Sequence, residues 1–151
     1  MKTGLCRWLL AVSILGLLSA CAGERPNNLG VTDGRLAPCP ASPNCVSSQV
    51  ESEGQRIAPL SFSGDAEAAF ARLVQVLRER KDAMIIDQTD DYLRVEFSTT
   101  FFVDDGEFLL DRQQQAVAVR SASRLGYSDL GKNRRRIEEI RRAFGQAGSS
   151  P

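Results

Sequence analysis

The sequence contains no histidine among its 151 residues. Without an imidazole there is no ordinary base for a Ser-His-Asp or Cys-His nucleophile, and acyl-transfer chemistry of those kinds is excluded. The same absence removes the nitrogen ligands that zinc sites usually draw on, so neither a metal site nor a cofactor is expected. Nor is there an apolar run long enough to cross a bilayer. The longest, residues 8–18, is broken by Ser13 and Gly16 and soon followed by Gly23, Glu24 and Arg25, whereas a spanning helix needs about 20 predominantly apolar residues. No internal repeat is visible.

The first residues carry Lys2 and Arg7 ahead of that apolar run, the order of a secretory signal peptide. Leu18, Ser19, Ala20 and Cys21 follow, and the quartet resembles the lipobox of bacterial lipoproteins. The resemblance implies cleavage before Cys21 and lipid on its thiol. Burial of acyl chains is worth about 0.8 kcal/mol per CH₂, so two or three chains hold a protein on a membrane where one does not. Ala22 rather than Asp follows the cysteine, which implies onward transport to the outer membrane and a position on its periplasmic face. Cleavage leaves 131 residues with 17 basic and 19 acidic side chains, enough for one domain with a modest core. Charge is uneven: residues 22–119 hold 9 basic and 16 acidic side chains, and residues 120–151 hold 8 and 3.

Cys6 leaves with the signal peptide and Cys21 is spent on lipid. Cys39 and Cys45 remain, and two thiols outside the cytoplasm usually pair, so a disulfide is expected.

The chain divides into a signal peptide (1–20), the lipidated Cys21 with a flexible tether (21–36), a single domain (37–145) and a disordered tail (146–151). The tether reading rests on Gly, Pro, Asn and charge without apolar periodicity. Residues 47–55 read as polar and irregular, and residues 57–62 as a short edge strand because of Pro59. Ala66, Ala69, Phe70, Leu73, Val74 and Leu77 recur at three and four residues, which predicts a helix over 65–80 capped by Ser63 or Asp65. Residues 83–87 and 92–98 predict a hairpin, with Leu93, Val95 and Phe97 on a core face and Arg94 and Glu96 on a wet one. Residues 101–103, 107–111 and 116–122 continue the strand pattern. A last helix is expected from Ser128 or Asp129 to Phe144, with Ile137, Ile140 and Phe144 inward and Glu138 paired with Arg142. The fold class is α+β: an antiparallel sheet of about four to five strands with two helices packed on one face.

Three stretches carry a resemblance: CPASPNCVSSQ at 39–49, FVDDGEF at 102–108 and RSASRLGYSDLGKNRRRIE at 120–138. Together they are similar to the bacterial and plastid family known as domain of unknown function 1499, over most of residues 36–144. The family supplies no reaction to carry over. Where it usually has an apolar residue after its paired aspartates this chain has Gly106, which puts an Asp-Gly turn in competition with a continuous strand.

The densest polar cluster is Arg120, Ser121, Ser123, Arg124, Tyr127, Asp129, Asn133 and Arg134. It joins a strand end, a turn at Gly126 and a helix start, where free N–H groups and arginines suit an anion. The competing reading is structural: Arg120 and Arg124 pairing with Asp104, Asp105 or Glu107, and Asp129 capping the helix. Lys132, Arg134, Arg135 and Arg136 are interrupted by Glu138 and Glu139 and read as a solvated face. No nucleic acid is expected as partner. The expectation is a non-enzymatic envelope lipoprotein, membrane-bound through its anchor, whose domain binds an envelope protein or an anionic ligand through residues 120–134. The alternative is a carboxylate-based hydrolase acting on cell-wall glycans, with Asp105 and Glu107 as its pair, since such chemistry needs two acids at a set separation.

Overall fold

In the computed structural model, residues 23–148 are described. The expected signal peptide and lipidated Cys21 lie outside them, as do Ala22 and the last three residues. Eight strands and two helices follow in the order β1 (Val31–Thr32), β2 (Arg35–Leu36), β3 (Cys45–Ser47), β4 (Leu60–Ser61), α1 (Ala66–Glu79), β5 (Ala83–Gln88), β6 (Tyr92–Ser98), β7 (Val103–Asp111), β8 (Ala116–Ser123) and α2 (Lys132–Ala147). The fold is α+β.

The main sheet is antiparallel and six-stranded, ordered β3-β8-β7-β6-β5, with β4 also paired to β8. That exceeds the four to five strands expected. The addition is β3, which pairs Val46 with Ser121; β4, which pairs Leu60 with Val117, falls within the edge strand expected at residues 57–62. Three residues of strand are too few to show alternation, and the last of them, Ser47, opens the stretch 47–55 that reads as irregular. β1 and β2 form a separate two-stranded hairpin.

Register fixes which side chains share a face. Phe97 stands opposite Asp104 and Val95 opposite Gly106, while Phe108 is opposite Val119 and Leu110 opposite Val117. These residues form the first face. Its apolar members join Phe70, Leu73 and Leu77 of α1 and Ile137, Ile140 and Phe144 of α2 in one buried cluster. Fully burying each such side chain is worth about 1.5–3 kcal/mol, which holds the amphipathic helices in place.

Asp65 caps α1 by accepting a hydrogen bond from the Ala68 amide at 2.7 Å. α2 starts later than expected, at Lys132, because Leu130 and Gly131 adopt positive φ (52° and 75°) and delay the first turn. It runs on through Ala147, so the expected tail at 146–151 begins inside the helix. Glu138 pairs with Arg141 at 3.0 Å, one residue short of the expected Arg142.

β7 is continuous, and Gly106 makes no turn. It lies mid-strand between Val95 and Ser121, and a Cβ there would collide with the Phe97 ring. The glycine makes room for a core aromatic rather than bending the chain.

The stretch at 21–36 read as a flexible tether departs from that reading wherever it is described. Leu36 is buried in a small cluster with Tyr92, Leu109 and Ala118 on the second face of the main sheet. Residues 23–38 form a strap across that face, held by polar contacts that a composition-based reading does not see.

Candidate functional site

The alternation that turns Leu93, Val95 and Phe97 inward turns Arg94 and Glu96 to the second face, and register adds Asp105, Glu107 and Arg120 there. This face is not wet. Glu96, Asp105, Glu107 and Arg120 are each at most 6 % exposed. A charge so far from water is tolerated only when paired and hydrogen-bonded, and each of these is.

Arg124, just past β8, grips Asp105 at 2.7 Å through Nε and 2.9 Å through Nη2, and also pairs with Glu96. Arg94 lies 3.5 Å from Asp105, and Arg120 lies 3.3 Å from Glu107. The Tyr92 hydroxyl donates to Glu107 at 2.9 Å. Burial raises the Tyr92 phenol above its ordinary range, helped by the charge and hydrogen bond of Glu107.

The strap completes the network. Arg25 donates to Glu96 at 2.6 Å and Arg94 donates to the Pro26 carbonyl at 2.9 Å. The Gly30 amide donates to Glu107 at 2.7 Å, and Arg120 donates to the Pro38 carbonyl at 3.4 Å. The Arg25 hydrogen bond, with Arg124 beside it, holds the Glu96 carboxyl below the usual range against the opposing effect of burial.

A pocket of about 310 Å³ lies between strap and sheet, walled by Pro26, Leu29, Pro38, Asp105, Arg120 and Ser123. A second, of about 430 Å³, shares Asn28, Leu29 and Pro38 with it. Arg120 is the cation at the first. Burial lowers its guanidinium's pKa, and its buried Nε–H has no hydrogen-bond partner among the described residues.

The eight residues proposed as one ligand cluster are divided by the sheet. Arg120 and Arg124 sit on the second face, while Ser121 and Ser123 turn toward α2 on the first. There Asn133 accepts from Ser121 Oγ at 2.6 Å and donates to Ser123 Oγ at 3.0 Å and to the Asn44 carbonyl at 3.2 Å. Asp129 accepts from the amides of Gly131 at 3.0 Å and Asn133 at 2.7 Å. Burial raises the Asp129 carboxyl, but these hydrogen bonds outweigh it and leave the group below its ordinary value. Arg134 donates to the carbonyls of Arg56 at 2.8 Å and Gly54 at 2.9 Å, and Tyr127 is 77 % exposed. A period of two in β8 makes this division unavoidable: neighbours in sequence go to opposite faces.

Asp104 is likewise separated from Asp105. It pairs with Arg136 at 2.6 Å on the first face, with Lys132 at 3.5 Å. Arg136 also lies over the Phe97 ring, 4.6 Å from its centroid. Glu96, Arg94, Tyr92 and Arg25 were missed as members of the second-face network. Their only signal was the alternation of β6 with charges on its outer side, which reads equally as solvent-facing.

Cys39 and Cys45 form a disulfide with Cα atoms 5.7 Å apart. It closes a loop whose Asn44 donates to the Gly126 carbonyl at 2.7 Å. The three stretches 39–49, 102–108 and 120–138 thus meet at one end of the sheet. A family model described as "Protein of unknown function (DUF1499)" matches residues 35–144. The chain belongs to the DUF1499 family. Comparison with curated proteins finds no match. The DUF1499 match starts at the first residue of β2, so most of the strap, with Arg25, Pro26 and Gly30, precedes it, while the sheet residues of the second-face network fall within it.

Proposed function

We propose that the protein is an envelope lipoprotein, anchored through acylated Cys21 at the periplasmic face of the outer membrane, whose DUF1499 domain is a non-enzymatic binding module for a partner or an anionic ligand. The observation that carries the binding reading is Arg120: a guanidinium only 6 % exposed, with an unpaired Nε–H, in the wall of the 310 Å³ pocket. A buried donor without an acceptor costs about 1–3 kcal/mol, more when charged, and an anion entering beside it relieves that cost. The strap supplies the pocket's other wall, so ligand size is set by residues 26–29 and 38–40. Relative to the expected seat at residues 120–134, this moves the binding site to Arg120 and the strap. The other expected contacts are committed elsewhere, Arg124 to two carboxylates and Arg134 to backbone carbonyls.

The hydrolase alternative draws no support from the geometry. Asp105 is held by Arg124 and Arg94, and Glu107 by Tyr92, Gly30 and Arg120. A glycosidase pair needs one carboxyl poised to give a proton and another free to face the sugar or a water.

A thermal-shift titration with phosphate, uronic acids, muropeptides and lipid headgroups tests the reading. A ligand at 100 times its Kd adds about 2.7 kcal/mol to the folded state, and Arg120→Lys, which keeps the charge beside Glu107, weakens that gain. If none of these anions shifts the unfolding temperature of the wild-type domain, the binding reading fails.

A further inference from the structure

Seven large apolar side chains are conspicuously exposed among the described residues, and five of them are Phe101, Phe102, Leu125, Tyr127 and Leu130, at 69, 50, 43, 77 and 84 %. Phe102, Leu125 and Leu130 line one shallow pocket of about 250 Å³ at the end of the sheet where β7 begins and β8 ends. Clustered exposed apolar groups on a small domain mark a surface that meets something. Lys132 is in the wall of the same pocket with Asp104 and Asp129, which are taken up by Arg136 and Lys132 and by the amides at the start of α2, and Arg135 donates to the Leu130 carbonyl at 2.8 Å, so two cations stand near the apolar residues.

The chain enters the domain at this same place. Gly23 lies against Leu125, so closely that a Cβ on it would come within 3.1 Å of Leu125 Cγ. The strap then runs from Gly23 along the second face, tied at Arg25, Pro26 and Gly30. Cys21 is two residues from Gly23, and two residues span at most about 7 Å. Acyl chains on Cys21 therefore bring the bilayer surface to the Phe101–Leu130 end of the domain and to no other.

We propose that this end is a membrane-docking surface: Phe101, Phe102, Leu125, Tyr127 and Leu130 enter the headgroup boundary of the bilayer that holds Cys21, with Lys132 and Arg135 against anionic lipid. The proposal rests on the lipoprotein reading above. Aromatic side chains favour the interfacial depth, and cations near it are drawn to anionic headgroups.

The test uses the mature, membrane-extracted protein. The chain's single tryptophan, Trp8, precedes the cleavage site, so an introduced indole reports alone. Tyr127→Trp places it in the proposed surface. Gln113→Trp places it in the β7–β8 turn at the opposite end of the sheet. Each variant is reconstituted into vesicles of phosphatidylethanolamine and phosphatidylglycerol carrying brominated acyl chains, and the mass of the N-terminal peptide is measured on the same sample. The proposal predicts blue-shifted, bromine-quenched emission for Tyr127→Trp and unquenched emission for Gln113→Trp, on a diacylated or triacylated Cys21. Equal or absent quenching of both on an acylated peptide overturns the docking while leaving the anchor in place. An unmodified peptide overturns the anchor, and the docking with it.

Discussion

Gly106 shows how much one missing Cβ can decide. A side chain there meets the Phe97 ring, and that ring is fully buried between the sheet and Arg136. Gly106→Ala is therefore expected to destabilise the domain by about 1–3 kcal/mol, the usual cost of overpacking, read as a lower urea midpoint. An unchanged midpoint would mean that Phe97 moves aside freely. Glu96 supplies a pH dependence. Its carboxyl is held low in the folded domain by Arg25 and Arg124. The resulting stability is fully present above the unfolded value of about 4.3 and is lost as pH falls through the lower folded value. Glu96→Gln is expected to be less stable than wild type near neutrality by about 1.5–3 kcal/mol, the worth of hydrogen bonds to a charged group. The gap should narrow steadily below pH 4; a gap independent of pH would contradict the pairing. Neither residue's role was legible beforehand. Glycine after aspartate is a turn signal, which leaves turn and strand in competition at Gly106, and the Phe97 ring that decides between them lies nine residues away on another strand.

At the scale of elements, local pattern and outcome agree where an element is long and half-buried. α1, the β5–β6 hairpin and β8 lie within a residue or so of the sequence expectation, because a period of 3.6 or 2 over six or more residues leaves one face no other place to go. The shortest elements are less legible. β4 falls within the edge strand expected at 57–62, but β3 exists because β8 offers it an edge, and three residues carry no period of their own. Asp129 is legible as a helix-start residue, but the positive φ at Leu130 and Gly131 that delays the helix to Lys132 is not. Asp129→Ala removes an acceptor shared by two amides and the Asn133 side chain. It is expected to cost about 1–2 kcal/mol in thermal or urea unfolding, and a neutral result would show that α2 starts without it. The disulfide closes a very short loop, so in the chain-entropy model its removal by Cys39→Ser with Cys45→Ser is expected to cost about 2 kcal/mol. Because Asn44 inside that loop also supports Asn133 and Gly126, the loss should appear together with faster amide exchange at the start of α2. Loss of stability with unaltered exchange there would show the loop acting alone.

For the whole molecule, the arrangement turns on the strap. The stretch at 21–36 carries no apolar period and reads as a tether, yet where it is described it supplies a guanidinium, an amide and a carbonyl to charges on the second face, and Pro38 adds a second carbonyl. That complementarity is between segments some 70 residues apart, and single-sequence patterning has no means of expressing it. It also accounts for the division of the polar cluster between two faces. The polar residues at 120–134 looked like one site because they are consecutive, whereas the sheet sends alternate ones to a structural network with α2 and to the strap. With the strap in place the pocket at Arg120 has two walls, and the proposed lipid anchor has no slack between Cys21 and the domain. The most direct test of this account is hydrogen exchange at the Gly30 amide in the full-length mature protein, since that N–H donates to the buried Glu107 carboxylate at 2.7 Å. The account predicts protection well above that of an unstructured chain, reduced in Glu107→Gln, which keeps an acceptor but loses the charge, and lost when Arg25 and Pro26 are deleted. Exchange of Gly30 at the rate of a free peptide would contradict it, because residues 23–38 would then be the loose tether their composition resembles.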